Sequence, residues 1–388
     1  MIENRNIICI ASDWFYDPTS KHHVMRILSR RNHVVWVNYH GSRRPGLSWA
    51  DARAALGQLR RVIHGPRRVA DNITVVTPLV VPLPGSRTAA ELNRRLLVRQ
   101  IREVIGGLPP RPTQLWSFAP DVDYLCGQFG EELIVYYCVD DFAEFSGYDA
   151  SAIRAAESRL IDRADLVVTT SMTIYDAKRR MSQETILVPH GVDVDHFARA
   201  TDPATTAADD LAGLPRPILG FWGLIQDWVD VDLLAAVATD RPDASVVLVG
   251  EPATDVSALR DRPNVHILGR RPYASLPSFA RGFDVGLIPF RINALTRAAN
   301  PIKLREYLAA GLPVVSTPLP EVARYRAWVE LAATPRQFVA ACRRVIENRS
   351  STAARARQAA VQAETWQGKV EVICRHLDLP RASRRTRS

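Results

Sequence analysis

Short runs of β-branched and apolar residues alternate with helical patterns along most of this chain, and the alternation runs twice. In the first half the strand candidates are Ile7–Ala11, Val34–Asn38, Ile73–Val76, Gln114–Ser117, Ile134–Tyr137, Leu166–Thr169 and Thr185–Val188. Helical stretches such as His22–Arg30 and Ala150–Arg163 stand between them. A polar, alanine-rich break follows at Ala198–Leu214, closed by Pro215 and Pro217. The pattern then restarts with Ile218–Phe221, Ser245–Val249, Val265–Leu268, Val285–Ile288, Val314–Ser316 and Val329–Ala332. Strands that alternate with helices predict parallel sheets covered by helices. Each half is long enough to bury its own core. The expectation is α/β: two doubly wound domains, 1–200 and 217–365, joined by a linker at 201–216. A C-terminal helix at 366–380 returns to the first domain, and 381–388 forms a disordered basic tail. Open sheets of this kind bind ligands at the carboxyl ends of their strands, so a cleft between two facing sheets is the expected site.

Composition narrows the function classes. Of 388 residues, 47% are hydrophobic and 23% charged, as in a soluble globular protein. No run approaches the roughly 20 apolar residues that span a bilayer. The opening Met1–Ile10 reads as a first buried strand and not as a signal peptide. Cys9, Cys126, Cys138, Cys342 and Cys374 are scattered without a C-x-x-C pair, which argues against zinc and fits a reducing cytoplasm. The net charge of +9 points to an anionic substrate or an anionic membrane surface. Nucleic acid fits least, because no zinc finger, RNP motif or aromatic-interleaved basic stripe is present.

In the second half, Ile218–Phe221 runs into Trp222-Gly223-Leu224-Ile225-Gln226-Asp227-Trp228, and a helix begins near Val231. Glycine at a strand-to-helix turn lets the backbone approach a phosphate, and a helix N-terminus offers free N–H groups. Tight-turn packing explains Gly220 and Gly223 equally well. Val249-Gly250-Glu251-Pro252 is a second such turn, and Leu268-Gly269-Arg270-Arg271-Pro272-Tyr273 a third segment. Asp284–Phe290 ends a strand, and the loop 291–300 leads into a helix carrying Lys303 and Glu306.

The order of these pieces resembles the family 4 glycosyltransferases (glycosyl transferases group 1). Asn300–Val315 matches that family's P-x-K-x-x-E-Y-x-A-x-G-x-P-V-V helix almost completely. Val188–Phe197 is similar to its P-N-G-V-D-x-x-x-F turn, and Ala164–Ser171 to its A-D-L-V-V-T-T-S strand. The resemblance covers roughly residues 130–320. It implies the GT-B fold and a retaining, metal-independent transfer from a nucleoside-diphosphate sugar to a saccharide, lipid-linked or small-molecule acceptor. The pathway it implies is cell-surface polysaccharide or glycolipid assembly, in the cytoplasm or at the inner face of the membrane, with no cofactor.

The resemblance assigns Glu306 to the ribose, whose two hydroxyls a carboxylate can accept. Lys303, Arg297 and the backbone N–H groups of Asn300–Leu304 are candidates to stabilise charge on the β-phosphate. Gly223 and Gly250 line the donor turns, and Arg270 with Tyr273 is expected near the base. Two departures stand out. The family's second acid, eight residues before Glu306, is Ala298 here. The Gly-Arg and lysine that often follow the first turn are replaced by Gly223-Leu224 and Asp227-Trp228. Of the acidic pairs, Asp140-Asp141, Asp121-Val122-Asp123 and Asp193-Val194-Asp195 are each weak metal candidates.

The first strand ends at Ser12-Asp13-Trp14-Phe15-Tyr16, before a helix with His22, His23 and Arg26. Rings and carboxylates suit a sugar, so Trp14, His22 and Trp116 are acceptor-binding candidates. Asp13 and Asp141 are candidate general bases, with a turn or N-cap role as the alternative for each. His190 stands where the family has asparagine; it either contacts the donor or caps the turn. On the helix around Leu92–Leu108, Leu97, Ile101, Val104, Ile105 and Leu108 share one face and Arg95, Arg99 and Arg102 another. That pattern fits either packing on the sheet or docking on anionic lipid. A sugar-nucleotide epimerase and a catalytically weakened scaffold of the same fold remain alternatives to the transferase.

Overall fold

A computed structural model describes residues 1–39, 65–78, 87–348 and 350–378; the expected tail at 381–388 lies outside them. The chain divides into two units. The first is Met1–Thr170, Ile174–Pro189 and the residues from Gln367 on; the second is Ser171–Thr173 with His190–Trp366.

The first unit contains β1 (Asn6–Ala11), α1 (Ser20–Leu28), β2 (His33–Asn38), β3 (Arg67–Ala70), β4 (Ile73–Val76) and α2 (Arg87–Gly106). It continues with β5 (Thr113–Ser117), β6 (Leu133–Cys138), α3 (Ala150–Arg163), β7 (Leu166–Thr169), α4 (Met172–Lys178) and β8 (Thr185–Leu187). Among the described residues these strands form one sheet in the order β3-β4-β2-β1-β5-β6-β7-β8. All pairs are parallel except β3 with β4. β1 and β6 are buried on both faces, as continuous apolar runs in parallel sheets require. The strand order reverses between β1 and β5, which makes the carboxyl ends of those strands a topological switch point. The sequence does not signal β3, because its Arg-Arg start and exposed faces carry no apolar alternation.

The second unit begins with α5 (Val194–Ala198), β9 (Ile218–Trp222), α6 (Val231–Asp240), β10 (Ser245–Val249), α7 (Ser257–Arg260), β11 (Val265–Gly269) and α8 (Leu276–Gly282). β12 (Val285–Ile288), α9 (Ala294–Ala298), α10 (Ile302–Ala309), β13 (Val314–Ser316), α11 (Pro320–Ala323) and β14 (Val329–Leu331) follow. α12 (Pro335–Glu347) and α13 (Ser351–Val361) close the unit, and α14 (Trp366–Asp378) leads out of it. The described strands form a parallel sheet in the order β11-β10-β9-β12-β13-β14, with its switch point between β9 and β12.

Two expectations about organisation need correction. The first unit's main body ends at Pro189, not at 200, and 201–216 is no linker but part of the second unit. Leu211 is 5% exposed in its core, Ala208 N–H donates to Ser278 O at 3.1 Å, and Asp210 pairs with Arg271 at 2.7 Å. Polar composition concealed this, since one buried leucine and a salt bridge fasten the segment. On α2, Leu97 and Ile101 are buried, while Arg95 pairs with Glu91, Arg99 with Glu103, and Arg102 donates to Gln128 O. Packing and pairing within the fold therefore account for its amphipathic pattern. Among the described residues no helix is long and apolar enough to cross a membrane.

Candidate functional site

β9 ends at Trp222, on the carboxyl side of the second unit's switch point. The chain turns at Gly223, whose φ of +116° is a conformation that side chains oppose. Its N–H donates to Val249 O at 2.9 Å, and its carbonyl presses on the next turn. A Cβ on Gly250 would lie 1.9 Å from Gly223 O, so Gly250 is restricted to glycine by that approach and Gly223 by its own φ. The loop after β12 is tied in beside them: Val229 bridges Phe290, Asp230 N–H donates to Pro289 O at 2.7 Å, and Arg291 N–H to Trp228 O at 2.8 Å.

Against these turns α10 presents Lys303 and Glu306, one helical turn apart and so on one face. Glu306 is 7% exposed, and its Oε2 accepts from Trp222 Nε1 at 2.7 Å. Its other oxygen makes no hydrogen bond with a described residue. Burial pushes the carboxyl up to about 7, opposed by the Trp222 N–H and the Lys303 ammonium. The half-buried Lys303 places Nζ 5.0 Å from the Phe221 ring centroid and 4.7 Å from that of Phe290, a cation–π arrangement. It has no hydrogen bond or ion pair with any described residue. Burial lowers it to about 8, with Glu306 opposing. A cation held by rings, beside an acid with one free oxygen, leaves both groups available to a ligand bearing an anion and hydroxyls.

The opposite side of α10 is anchored. Arg305, 2% exposed, pairs with Glu364 at 2.7 Å, lies 5.2 Å from the Tyr325 ring centroid, and donates to Asn300 Oδ1 at 2.7 Å. The Asn300 side-chain oxygen is thus committed to Arg305 and not offered as a donor contact. The Leu304 N–H donates to Pro301 O at 3.2 Å and its side chain is fully buried, so Leu304 also leaves the donor set. No side chain caps the helix at Pro301. Arg297 on α9 is exposed, with its guanidinium unpaired among the described residues. Arg270 is exposed after β11, two strands out from β9, which is roughly 10 Å across the sheet. Ala298 is 4% exposed and its carbonyl accepts from Ser171 Oγ at 2.6 Å, so packing fills the position of the missing acid.

His190 belongs to the second unit, is 4% exposed, and its ring centroid lies 5.9 Å from that of Trp366. The Gly-Val-Asp turn after it is a fastening: Val192 N–H donates to Glu364 O at 2.9 Å, and Asp193 caps α5 through His196 N–H at 3.2 Å. The His190 ring thus packs beside Trp366 within the second unit.

In the first unit, Asp13 is 3% exposed and its Oδ1 accepts from Phe15 N–H at 3.1 Å. Trp14 packs edge-on against Trp36 at 4.9 Å, with the Arg26 guanidinium 5.3 Å from its ring centroid. His22 is corrected from acceptor contact to loop fastener. Its Nδ1 accepts from Thr19 N–H at 3.1 Å and its Nε2 lies 3.2 Å from Trp14 O. Burial, reinforced by nearby Lys21, lowers it to about 3 and keeps it neutral. Trp116 is also corrected: it is fully buried, with Nε1 donating to Gln114 Oε1 at 3.1 Å, and offers no face to a sugar. Asp141 is half-buried at the start of a short turn, without a side-chain cap bond.

Sequence reasoning passed over Lys21 and Asp140 as a pair. They lie after β1 and β6 at the first unit's carboxyl edge. Burial raises Asp140 to about 7, with Lys21 opposing and Asp141 adding; burial lowers Lys21, with Asp140 opposing. The sequence likewise presents Phe221 and Phe290 only as strand residues and Trp222 only as part of the turn that follows. The available signal was the aromatic content of Phe221-Trp222 and Phe290 at two strand ends. Among the described residues no cluster of three or more His, Cys, Asp or Glu side chains could hold a metal ion.

Comparison with known proteins bears on what this geometry serves. The family model described as glycosyl transferases group 1 matches residues 216–348. A Bacillus subtilis (strain 168) protein named as a teichuronic acid biosynthesis glycosyltransferase, TuaH, is 30% identical over 277 residues, 65% of this chain and 68% of that protein. Among solved structures, an α,α-trehalose-phosphate synthase (UDP-forming) from Burkholderia xenovorans in complex with glucose-6-phosphate is 11% identical. It aligns over 97% of this chain and 100% of its own, with a TM-score of 0.67. Anabaena HepE in complex with UDP is 15% identical over 96% of this chain and 99% of its own, with a TM-score of 0.63. The structural likenesses carry the fold and the sequence relationship carries the family: the chain belongs to the group 1 glycosyltransferases and is a glycosyltransferase of the GT-B fold.

Proposed function

We propose that the second unit binds a nucleoside-diphosphate sugar through α10 and that the protein transfers the sugar with retention of configuration. The observation that carries this reading is the pair on one helix face: Lys303 held by two rings with no hydrogen bond or ion pair among the described residues, and Glu306 with one oxygen open. Glu306 accepts a ribose hydroxyl. Lys303 meets the diphosphate, where negative charge grows as the bond from the sugar C1 to the β-phosphate oxygen breaks. The uncapped N-terminus of α10 and the exposed Arg297 add positive potential. No metal is needed for that neutralisation. The acceptor hydroxyl then bonds C1, and its proton leaves with the departing phosphate or to a carboxylate. Within the first unit, Asp13, Asp140 and Asp141 at the carboxyl edge of its sheet are the acceptor-binding candidates of this reading.

The acceptor is a saccharide or a lipid-linked saccharide in cell-surface polysaccharide assembly. The name of the B. subtilis relative supports that class, and the UDP complex of HepE supports a nucleotide donor. A panel of UDP-, GDP-, dTDP- and ADP-sugars, screened by thermal shift, tests the reading. At least one should stabilise the protein in proportion to its occupancy. Absence of a shift with all of them would count against donor binding, and free epimer formed without acceptor would count against transfer.

A further inference from the structure

We infer that Trp222 is the positioning residue for Glu306, holding one carboxylate oxygen so that a single, pre-aimed oxygen meets the ribose. The inference rests on the proposed donor site and concerns how that site is built.

Trp222 is the last residue of β9 and is 3% exposed. Its ring meets Tyr307 edge-on at 4.2 Å and stacks at 5.9 Å on Phe197 and 6.0 Å on Phe283. Its backbone N–H donates to the Tyr307 hydroxyl at 3.2 Å, which donates onward to Leu287 O at 3.3 Å. Ring and backbone are therefore fixed from several sides by Phe197 on α5, Tyr307 on α10 and Phe283 just after α8. An indole nitrogen can only donate, and here it donates to Glu306 Oε2 at 2.7 Å.

The consequence lies in the geometry of the carboxylate. Turning it to aim both oxygens at a ligand breaks the indole bond and leaves a buried N–H unsatisfied, which is costly. Oε1 alone is left for the ribose, with its direction already set. Pre-orientation lowers the ordering cost of binding. It also makes the two ribose hydroxyls unequal, because a lone oxygen serves one of them better than both. Lys303 is the charged group facing Glu306, from the same helix, and the neighbouring Tyr307 hydroxyl is committed to Leu287. Losing the indole N–H should therefore move the ionisation of Glu306 upward as well as loosen it.

The test measures UDP, GDP and ADP binding to the full chain by calorimetry, and follows the tightest of them. The variants are W222F, E306A and a protein carrying 3-benzothienyl-alanine at position 222, where sulfur replaces N–H and the ring shape is kept. The isosteric variant covers the case in which W222F fails to fold. Expected are a ~10-fold weakening on loss of the N–H, no further weakening in the E306A background, and a rise in the pH at which binding develops. In wild type, the 2′-deoxy and 3′-deoxy nucleotides should differ in affinity, and the benzothienyl variant should narrow that difference. Equal losses with and without Glu306, or unchanged binding and pH profile in the benzothienyl variant, overturn the role of Trp222 while leaving the donor site standing. E306A binding as tightly as wild type instead overturns the donor-site reading of Glu306, and this inference with it.

Discussion

Arg305 and Glu364 pair at 2.7 Å on the side of α10 that faces away from Lys303 and Glu306. The same helix therefore carries an anchor on one side and two ligand-ready charges on the other. The anchor reaches the residues just before α14, where Glu364 O also accepts from Val192 N–H and the Glu364 carboxylate accepts from Tyr325 OH. A one-residue change in helix phase separates the structural charge from the functional ones.

Arg305→Leu should cost about 3 kcal/mol of stability, because removing one partner strands a carboxylate built to be paired and an Asn300 oxygen that loses its donor. Urea denaturation of the variant checks this. A midpoint unchanged from wild type would remove Arg305 from the framework of the site.

Glu306→Ala should weaken nucleotide affinity by about 1.5–3 kcal/mol, the range for hydrogen bonds to a charged group. Calorimetric titration with the nucleotide selected by the donor panel measures it. Unchanged affinity in a folded variant would take Glu306 off the ribose.

The pH dependence of kcat/KM for the donor should be a narrow bell. Glu306 must lose its proton to accept hydrogen bonds fully, so activity rises as pH passes about 7. Lys303 must keep its proton to meet the diphosphate, so activity falls as pH passes about 8. Lys303→Arg keeps the charge at all these pH values and should remove the alkaline limb. An alkaline limb that persists in that variant would assign it to another group.

The same shifts predict a trade between stability and function. A carboxyl raised to about 7 makes the native state progressively less stable as pH climbs from the ordinary carboxylate range to 7. An ammonium lowered to about 8 adds a penalty that disappears only as pH rises from 8 towards the ordinary lysine range. At neutral pH both penalties operate, so the double variant K303M/E306Q should melt higher than wild type and bind nucleotide far more weakly. A melting temperature at or below that of wild type would refute the assignment.

Gly250→Ala should disrupt the donor turns, since its Cβ would stand 1.9 Å from Gly223 O. A loss of at least about 2 kcal/mol is expected from that backbone clash. Gly269→Ala, at φ +70° with nothing within 4 Å of the added carbon, should cost only about 1 kcal/mol. Thermal melts of the two variants side by side measure the contrast.

Much of the fold was legible because buried parallel strands must be apolar along their whole length. Ile73–Val76, Leu166–Thr169, Ser245–Val249, Val285–Ile288 and Val314–Ser316 are strands with the bounds that the sequence predicts. The linker misled because few apolar residues hold it, and β3 was missed because exposed edge strands need none. In the site, the motif around Asn300–Val315 identified Lys303 and Glu306, whose spacing puts them on one helix face in any environment. His22 and Trp116 looked equally suited to a sugar, yet both are buried with their polar atoms satisfied. Sequence cannot tell a ring that faces a ligand from one that completes a core.

By itself, then, the sequence determined the two-sheet α/β plan, the helix that carries Lys303 and Glu306, and the family to which these belong. Periodicity and local turn chemistry are properties of neighbouring residues and can be read in order. Only the tertiary structure decided that Trp222 would hold Glu306, that Phe221 and Phe290 would flank Lys303, and that Lys21 and Asp140 would come within electrostatic reach of each other. Those relationships join residues far apart in the chain. They exist only because the strand orders bring the ends of β9 and β12, and of β1 and β6, to the same edges of their sheets.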